Sequence, residues 1–342
     1  MKIENAEALL SKQVEQPDEI LNGLLRSQIG LIVARPAIGK SHLGLSVAIE
    51  VSTGIQLVGL SAKPESQKVL YISSEDPRPI VSKRMKQKIE QLNIAENGLL
   101  DSLDFCTDIE PLVIPPDSSE FEKHKYEHYM SGVIGSLSEY DLVIIDTVSE
   151  VIGSCCEVAN DRDIKHAFKR IAKESNVSIL LIHHVTKDEI RKAKSLNVAS
   201  SSGLSTVGRL VKFMYGMFEV NNKIQLSPLK LNYVDDERAT TPIMLERLGA
   251  LTIATQYKES IKRSISGLAL HTKVETSEQP VKKSSNKTES DKLKLEEVRT
   301  TKKGRRPNIT IDTEPDEILL DTDQLEKTEQ DDPWAKVKGL LN

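Results

Sequence analysis

The sequence predicts an α/β protein, with a mainly parallel sheet covered by helices, antiparallel hairpins late in the chain, and a disordered charged tail. Three observations carry this. From Gln28 to about Ala254, short apolar runs alternate with helical patterns. The apolar run Ile29 to Val33 leads straight into Ala34-Arg35-Pro36-Ala37-Ile38-Gly39-Lys40-Ser41, a turn that joins a buried strand to a helix. After about Ser266 aromatics nearly vanish and Lys, Glu, Ser, Thr and Asp dominate, so that stretch cannot bury enough surface to offset the entropy of ordering it.

The elements follow in order. Residues 1–23 read as a short N-terminal arm and 24–265 as the core. Within the core, apolar runs predict strands at Gln28 to Val33, Lys68 to Ser73, Leu103 to Thr107, Leu142 to Asp146 and Ser178 to His183. Helical spacing predicts helices at Ser41 to Ser52, Pro79 to Leu92, Phe121 to Leu137 and Asp161 to Ser175, the last opened by Asn160 or Asp161 as a cap. Beyond Gly203 the pattern changes to hairpin strands at Phe213 to Val220, Lys223 to Leu231, Ile243 to Leu248 and Ala250 to Ala254, with Asn221-Asn222 as a tight turn. The tail, 266–342, is charge-polarised. Lys273 to Arg306 holds 11 basic and 6 acidic residues, Pro307 to Asn342 holds 3 and 10, and a short docking helix is expected at 332–341 around Pro333, Trp334, Val337 and Leu340.

Composition narrows the class. A formal charge of -5 gives no global sign of a nucleic-acid binder, so any such surface must be local. Three cysteines without metal or disulfide spacing fit a reducing compartment. No signal peptide opens the chain, and no apolar stretch approaches the roughly 20 residues needed to span a bilayer. The expectation is a cytoplasmic protein with no membrane role.

Four short stretches carry chemistry. In the first, the turn and opening helix aim unpaired backbone N–H groups at one point, where phosphate oxygens fit. The candidate nucleotide contacts are Arg35, Ala37, Ile38, Gly39, Lys40, Ser41 and His42. Lys40 would reach the β- and γ-phosphates, and the Ser41 hydroxyl would hold Mg²⁺. The second, Leu142 to Asp146, delivers a carboxylate at a strand end, so Asp146 is the other Mg²⁺ candidate. The third, Tyr71-Ile72-Ser73-Ser74-Glu75-Asp76, offers Glu75 as general base, or else Glu75 or Asp76 as a helix cap. The fourth ends in His183-His184, one of which could sense the γ-phosphate. A basic stretch follows at once, with Lys187, Arg191, Lys192 and Lys194 as DNA-contact candidates.

In this order, and with Lys230-Leu231-Asn232-Tyr233 in a late strand, the motifs resemble those of RecA-like hexameric helicases. The resemblance is closest to the RepA-type replicative helicases of small mobilisable plasmids, and covers roughly Leu24 to Ala254. It implies a RecA-like P-loop NTPase fold, ATP and Mg²⁺ as cofactors, a homo-hexamer and single-stranded DNA as partner. By position it implies His184 as the sensor, Arg84 in the adenine pocket, and Lys230 as a trans-acting finger, with Lys212 second. Three departures stand out. Ala34 takes the place of the usual first glycine or serine, Arg35-Pro36 replaces small flexible residues, and Asn232 supplies no arginine. The tail lies outside the resemblance and is the expected seat of a replication partner.

The function expected is an ATP-dependent DNA helicase or translocase in replication of a plasmid, phage or mobile element. A RecA-like ATPase acting as recombination mediator or helicase loader stays open as the alternative, as does a nucleotide-gated switch without DNA.

Overall fold

A computed structural model describes residues 4–11, 16–94, 98, 100–157, 159–184, 208 and 211–265. The chain divides into units 1–279 and 280–342. The whole second unit lies outside the described residues, and so does the helix expected at 332–341.

In chain order the elements are α1 (Ala6–Ser11), β1 (Glu19–Leu21), β2 (Leu24–Leu25), β3 (Ile29–Ala34), α2 (Lys40–Thr53), β4 (Val69–Ser73), α3 (Arg78–Leu92) and β5 (Leu103–Cys106). Then come α4 (Glu120–Leu137), β6 (Leu142–Asp146), α5 (Val148–Val151), α6 (Asp161–Glu174) and β7 (Ser178–His184). The last are β8 (Phe213–Val220), β9 (Lys223–Leu231), α7 (Asp236–Thr240), β10 (Ile243–Leu248) and β11 (Leu251–Ala254), followed by helical residues 255–265. No helix among the described residues is long and apolar enough to cross a membrane.

Nine strands form one sheet in the order β11-β10-β9-β8-β3-β7-β6-β4-β5. From β8 to β5 all pairings are parallel, and from β8 to β11 all are antiparallel. The parallel strands are apolar along their whole length because both faces are covered, one by α2 and α3 and the other by α4 and α6. This is the helix-covered, mainly parallel α/β sheet that the alternating runs predicted, in the RecA-like form that the resemblance implied. The β8–β9 turn is also as predicted: Asn221 and Asn222 have φ of 51° and 58°, the left-handed geometry a two-residue hairpin requires.

The segment expected to be an arm does more than extend the chain. Its β1–β2 hairpin buries Ile20 and Leu21 in the core beside Leu24. Three residues of strand are too short to show an alternation.

Register decides where chemistry can occur. Ala34 pairs with His184, Asp146 with Ile182, and Ser73 with Asp146. The carboxyl ends of β3, β7, β6 and β4 therefore form one rim, the place where ligands bind in open α/β sheets. Helix α2 lies close above it. A Cβ on Gly44 would come within 2.6 Å of Ile182 Cδ1 and 3.2 Å of the Tyr71 hydroxyl, so glycine sets the distance between helix and sheet. Further along α2 the buried Glu50 carboxylate accepts backbone N–H bonds from Leu57, Val58, Gly59 and Ser61, fixing the loop that returns to β4.

Candidate active site

The phosphate loop takes its shape from three residues. Ala34, expected to be a departure, is simply the last residue of β3, buried and paired on both sides with His184 and Met217. Its extended backbone does not need glycine there. The turn is made later, at Ala37 with φ 62° and Gly39 with φ 103°. Gly39 caps α2 without any side-chain hydrogen bond, so the N–H groups of the first turn remain directed at the loop. Those groups and the positive end of the helix dipole favour an anion.

Lys40 heads this helix with its ammonium buried. It donates to His184 Nε2 at 2.7 Å and lies 3.8 Å from Glu75 Oε2, and His184 Nε2 and Glu75 Oε2 are 3.3 Å apart. Three of the residues singled out in the sequence thus meet within 4 Å.

Asp146 is buried at the end of β6. Its Oδ2 accepts from the Tyr71 hydroxyl at 2.8 Å, and its Oδ1 is buried without a partner among the described residues. Burial and the Asp146 charge push the Tyr71 phenol well above its ordinary value, so it stays a donor. The loop beyond is tied down through Ser74. Its hydroxyl donates to Thr147 O and accepts from Thr147 N–H, both at 2.9 Å, and its own N–H donates to Asp146 O.

The fit to Mg²⁺ and a triphosphate can be tested on these atoms. An orphaned carboxylate oxygen on Asp146, a half-buried Ser41 in the first turn of α2, and an uncapped helix start are an incomplete set of ligands that a magnesium ion and phosphate oxygens would complete. The residues present fit the group.

Other expected residues lie elsewhere. Neither Glu75 nor Asp76 caps α3. Pro77 occupies the cap position without a side-chain bond, and Asp76 instead pairs with Arg84. Arg35 is exposed and pairs with Glu219 on β8. Lys230 is opposite Met214 on β8, which is level with Leu31 on β3, three residues below the rim. Lys212, which donates to the Tyr233 hydroxyl at 2.8 Å, lies just before β8 starts and so further from the rim still. Neither lysine joins the cradle of its own chain. Lys187, Arg191, Lys192 and Lys194 are outside the described residues.

Sequence reasoning missed a second group of cations beside the loop. Lys88 of α3 is fully buried, and its ammonium donates to Ala250 O at 2.8 Å and His42 O at 3.3 Å. Burial, then Arg247 and Arg84, bring its pKa down to about 7. Burial, then Arg247, Lys88 and Arg84, bring His42 down to about 4. No motif marks Lys88 or Arg247; they meet because α3 docks on the β10–β11 turn, where Gln91 bonds Leu248 O and Ala250 N–H.

A glycine-turned phosphate loop, a buried acidic strand end and a polar strand end beside them, on a sheet of this order, define a RecA-like P-loop NTPase. The sequence profile of the AAA domain family matches residues 2–189, and the chain belongs to that family. Among solved structures, the chain is similar to one described as an ATPase domain, at 13% identity and a TM-score of 0.46, covering 67% of this chain and 84% of that one. A search of curated proteins found no match.

Proposed function

We propose that the protein is an ATP-driven motor on single-stranded DNA, a helicase or translocase of the RepA-like type that works as a ring of identical subunits, six by the resemblance, in the replication of a plasmid, phage or other mobile element. The observation that supports it best is the meeting of Lys40, Glu75 and His184 at the point where β7 ends and the basic segment begins. A triphosphate in the cradle would draw the Lys40 ammonium toward its β- and γ-oxygens and away from His184. His184 would then be free to bond elsewhere, and it is joined by backbone to the segment holding Lys187, Arg191, Lys192 and Lys194. Nucleotide state and DNA grip are coupled by that exchange of partners.

In this reading Ser41 and Asp146 hold Mg²⁺, which supplies charge neutralisation on the phosphate oxygens. Glu75, half exposed on the loop after β4, accepts the proton of the attacking water. Tyr71 fixes the orientation of Asp146 through its hydroxyl. Lys230 cannot serve its own cradle, so its finger role belongs to the cradle of a neighbouring subunit, with Lys212 as the second candidate. Arg84, close to the loop and neutralised by Asp76, borders the base. The tail carries the replication partner's docking segment.

The direct experiment measures ATP hydrolysis and strand displacement by the purified full chain with Mg²⁺, with and without single-stranded DNA. Stimulation by DNA together with displacement of an annealed strand supports the motor. DNA-independent hydrolysis with no displacement favours the loader or mediator reading.

A further inference from the structure

Three cations around the phosphate loop have carboxylate partners: Lys40 has Glu75, Arg35 has Glu219, and Arg84 has Asp76. Arg247, the residue before Leu248 at the end of β10, has none among the described residues. Its Nη1 donates to the Thr252 hydroxyl at 3.3 Å and lies 3.8 Å from where a Cβ on Gly39 would stand. The residue is exposed at its outer side, where a ligand can reach it, while its bond to Thr252 is partly buried. The groups that face it, Arg84, Lys88 and His42, are basic, and the nearest of them to a carboxylate is Arg84, whose charge Asp76 already offsets. Burial and the Arg84 charge hold the Arg247 guanidinium below its ordinary value, as befits a cation whose neighbours repel it.

A cation placed against a phosphate loop, with the Arg84 charge behind it and no acid among the described residues to meet it, is completed by an anion. We infer that Arg247 is a nucleotide-contacting residue, which takes the non-bridging oxygens at the α/β end of the phosphate chain while Lys40 takes the β/γ end. The assignment of ends follows from the loop. Backbone N–H groups from Gly39 onward cradle the α- and β-phosphates, and Lys40 reaches toward the γ-phosphate, where Glu75 and His184 stand. The turn that carries Arg247 is held to α3 by Gln91 and Lys88, so the guanidinium is presented from a fixed support.

The inference rests on the nucleotide reading above, and its test separates the two. Fluorescent ADP and ATP analogues are titrated into the full chain with Mg²⁺, for wild type, Arg247→Met and Arg247→Lys. Wild type binds both nucleotides. Arg247→Met weakens ADP and ATP alike by about tenfold, the loss of one charge-assisted contact common to both. Arg247→Lys recovers part of the loss, a point charge replacing a fork. Without nucleotide, Arg247→Met melts no lower than wild type, because a like-charge repulsion has gone. Wild-type affinity in Arg247→Met overturns the inference and leaves the nucleotide reading standing, whereas no binding by wild type sinks the reading itself. Loss of single-stranded DNA affinity at unchanged nucleotide affinity overturns it in favour of a DNA-phosphate contact. If Arg247→Met does not fold, Arg247→Gln carries the same comparison.

Discussion

The ammonium of Lys40 and Nε2 of His184 meet at 2.7 Å although 144 positions separate them in the chain. Parallel register produces this contact: Ala34 at the end of β3 is paired with His184 at the end of β7, and Lys40 opens the helix that returns over that strand end. In the proposed function Lys40 gives up this bond when it turns to phosphate oxygens, and His184 is released. His184→Ala should leave nucleotide affinity within about threefold of wild type while lowering DNA-stimulated hydrolysis by about 10²-fold. Single-turnover hydrolysis with and without oligonucleotide reads this directly. Equal stimulation in the variant would remove His184 from the coupling.

Glu75 reaches both Lys40 and His184 from the loop after β4 and is half exposed, which suits the general-base role proposed for it. Glu75→Gln keeps the size and removes the base. Hydrolysis should fall by about 10²–10⁴-fold with binding of nucleotide retained. Lys40→Ala should instead lose both, and equilibrium binding beside steady-state turnover distinguishes the two patterns. A Glu75→Gln enzyme of normal rate would mean that another group takes the proton.

Tyr71 is buried in mid-strand and holds Asp146 by a single hydrogen bond. In Tyr71→Phe the Asp146 carboxylate, already orphaned at Oδ1, would lose its donor at Oδ2 as well. A buried acceptor left unsatisfied costs about 1–3 kcal/mol. Thermal melting should show a drop of several degrees in the metal-free protein, with part of the loss restored by Mg²⁺ and nucleotide. A melting point equal to wild type would show that Asp146 is hydrated and does not depend on the phenol.

The strands were legible within about a residue because each is an apolar run bounded by turn chemistry, and the residues at their carboxyl ends followed from the same pattern: Glu75, Asp146 and His184 are all where a strand end would deliver them. The β1–β2 hairpin was not legible, since Glu19–Leu21 and Leu24–Leu25 are too short to carry a period. The choice of Asp76 as a possible cap failed for a reason of reach: Arg84, two turns into α3, offers that carboxylate a charge-assisted bond that the uncapped backbone cannot match. Lys88 and Arg247 were invisible because their roles arise from a long-range docking, Lys88 to Ala250 across 162 positions, that no local pattern announces.

Lys88 gives the site a pH dependence whose sign is fixed by burial. The ammonium is wholly enclosed, facing Ala250 O, His42 O and the Ser46 hydroxyl on one side and the Arg247 and Arg84 charges around it, with His42 nearby. Its pKa is lowered from 10.5 to about 7 in the folded chain. Between those values the unfolded chain binds the extra proton, so stability rises with pH across that window and the burden of the buried charge is felt in full below it. From pH 7 to 9 this one group should add on the order of 2 kcal/mol to the free energy of unfolding. Urea denaturation of wild type and Lys88→Met at pH 7, 8 and 9 isolates the contribution, because groups common to both chains cancel in the difference. Wild type should gain on the variant at each step. Parallel lines for the two proteins would mean that Lys88 holds the same proton folded and unfolded, and that water reaches the junction between α3 and the β10–β11 turn.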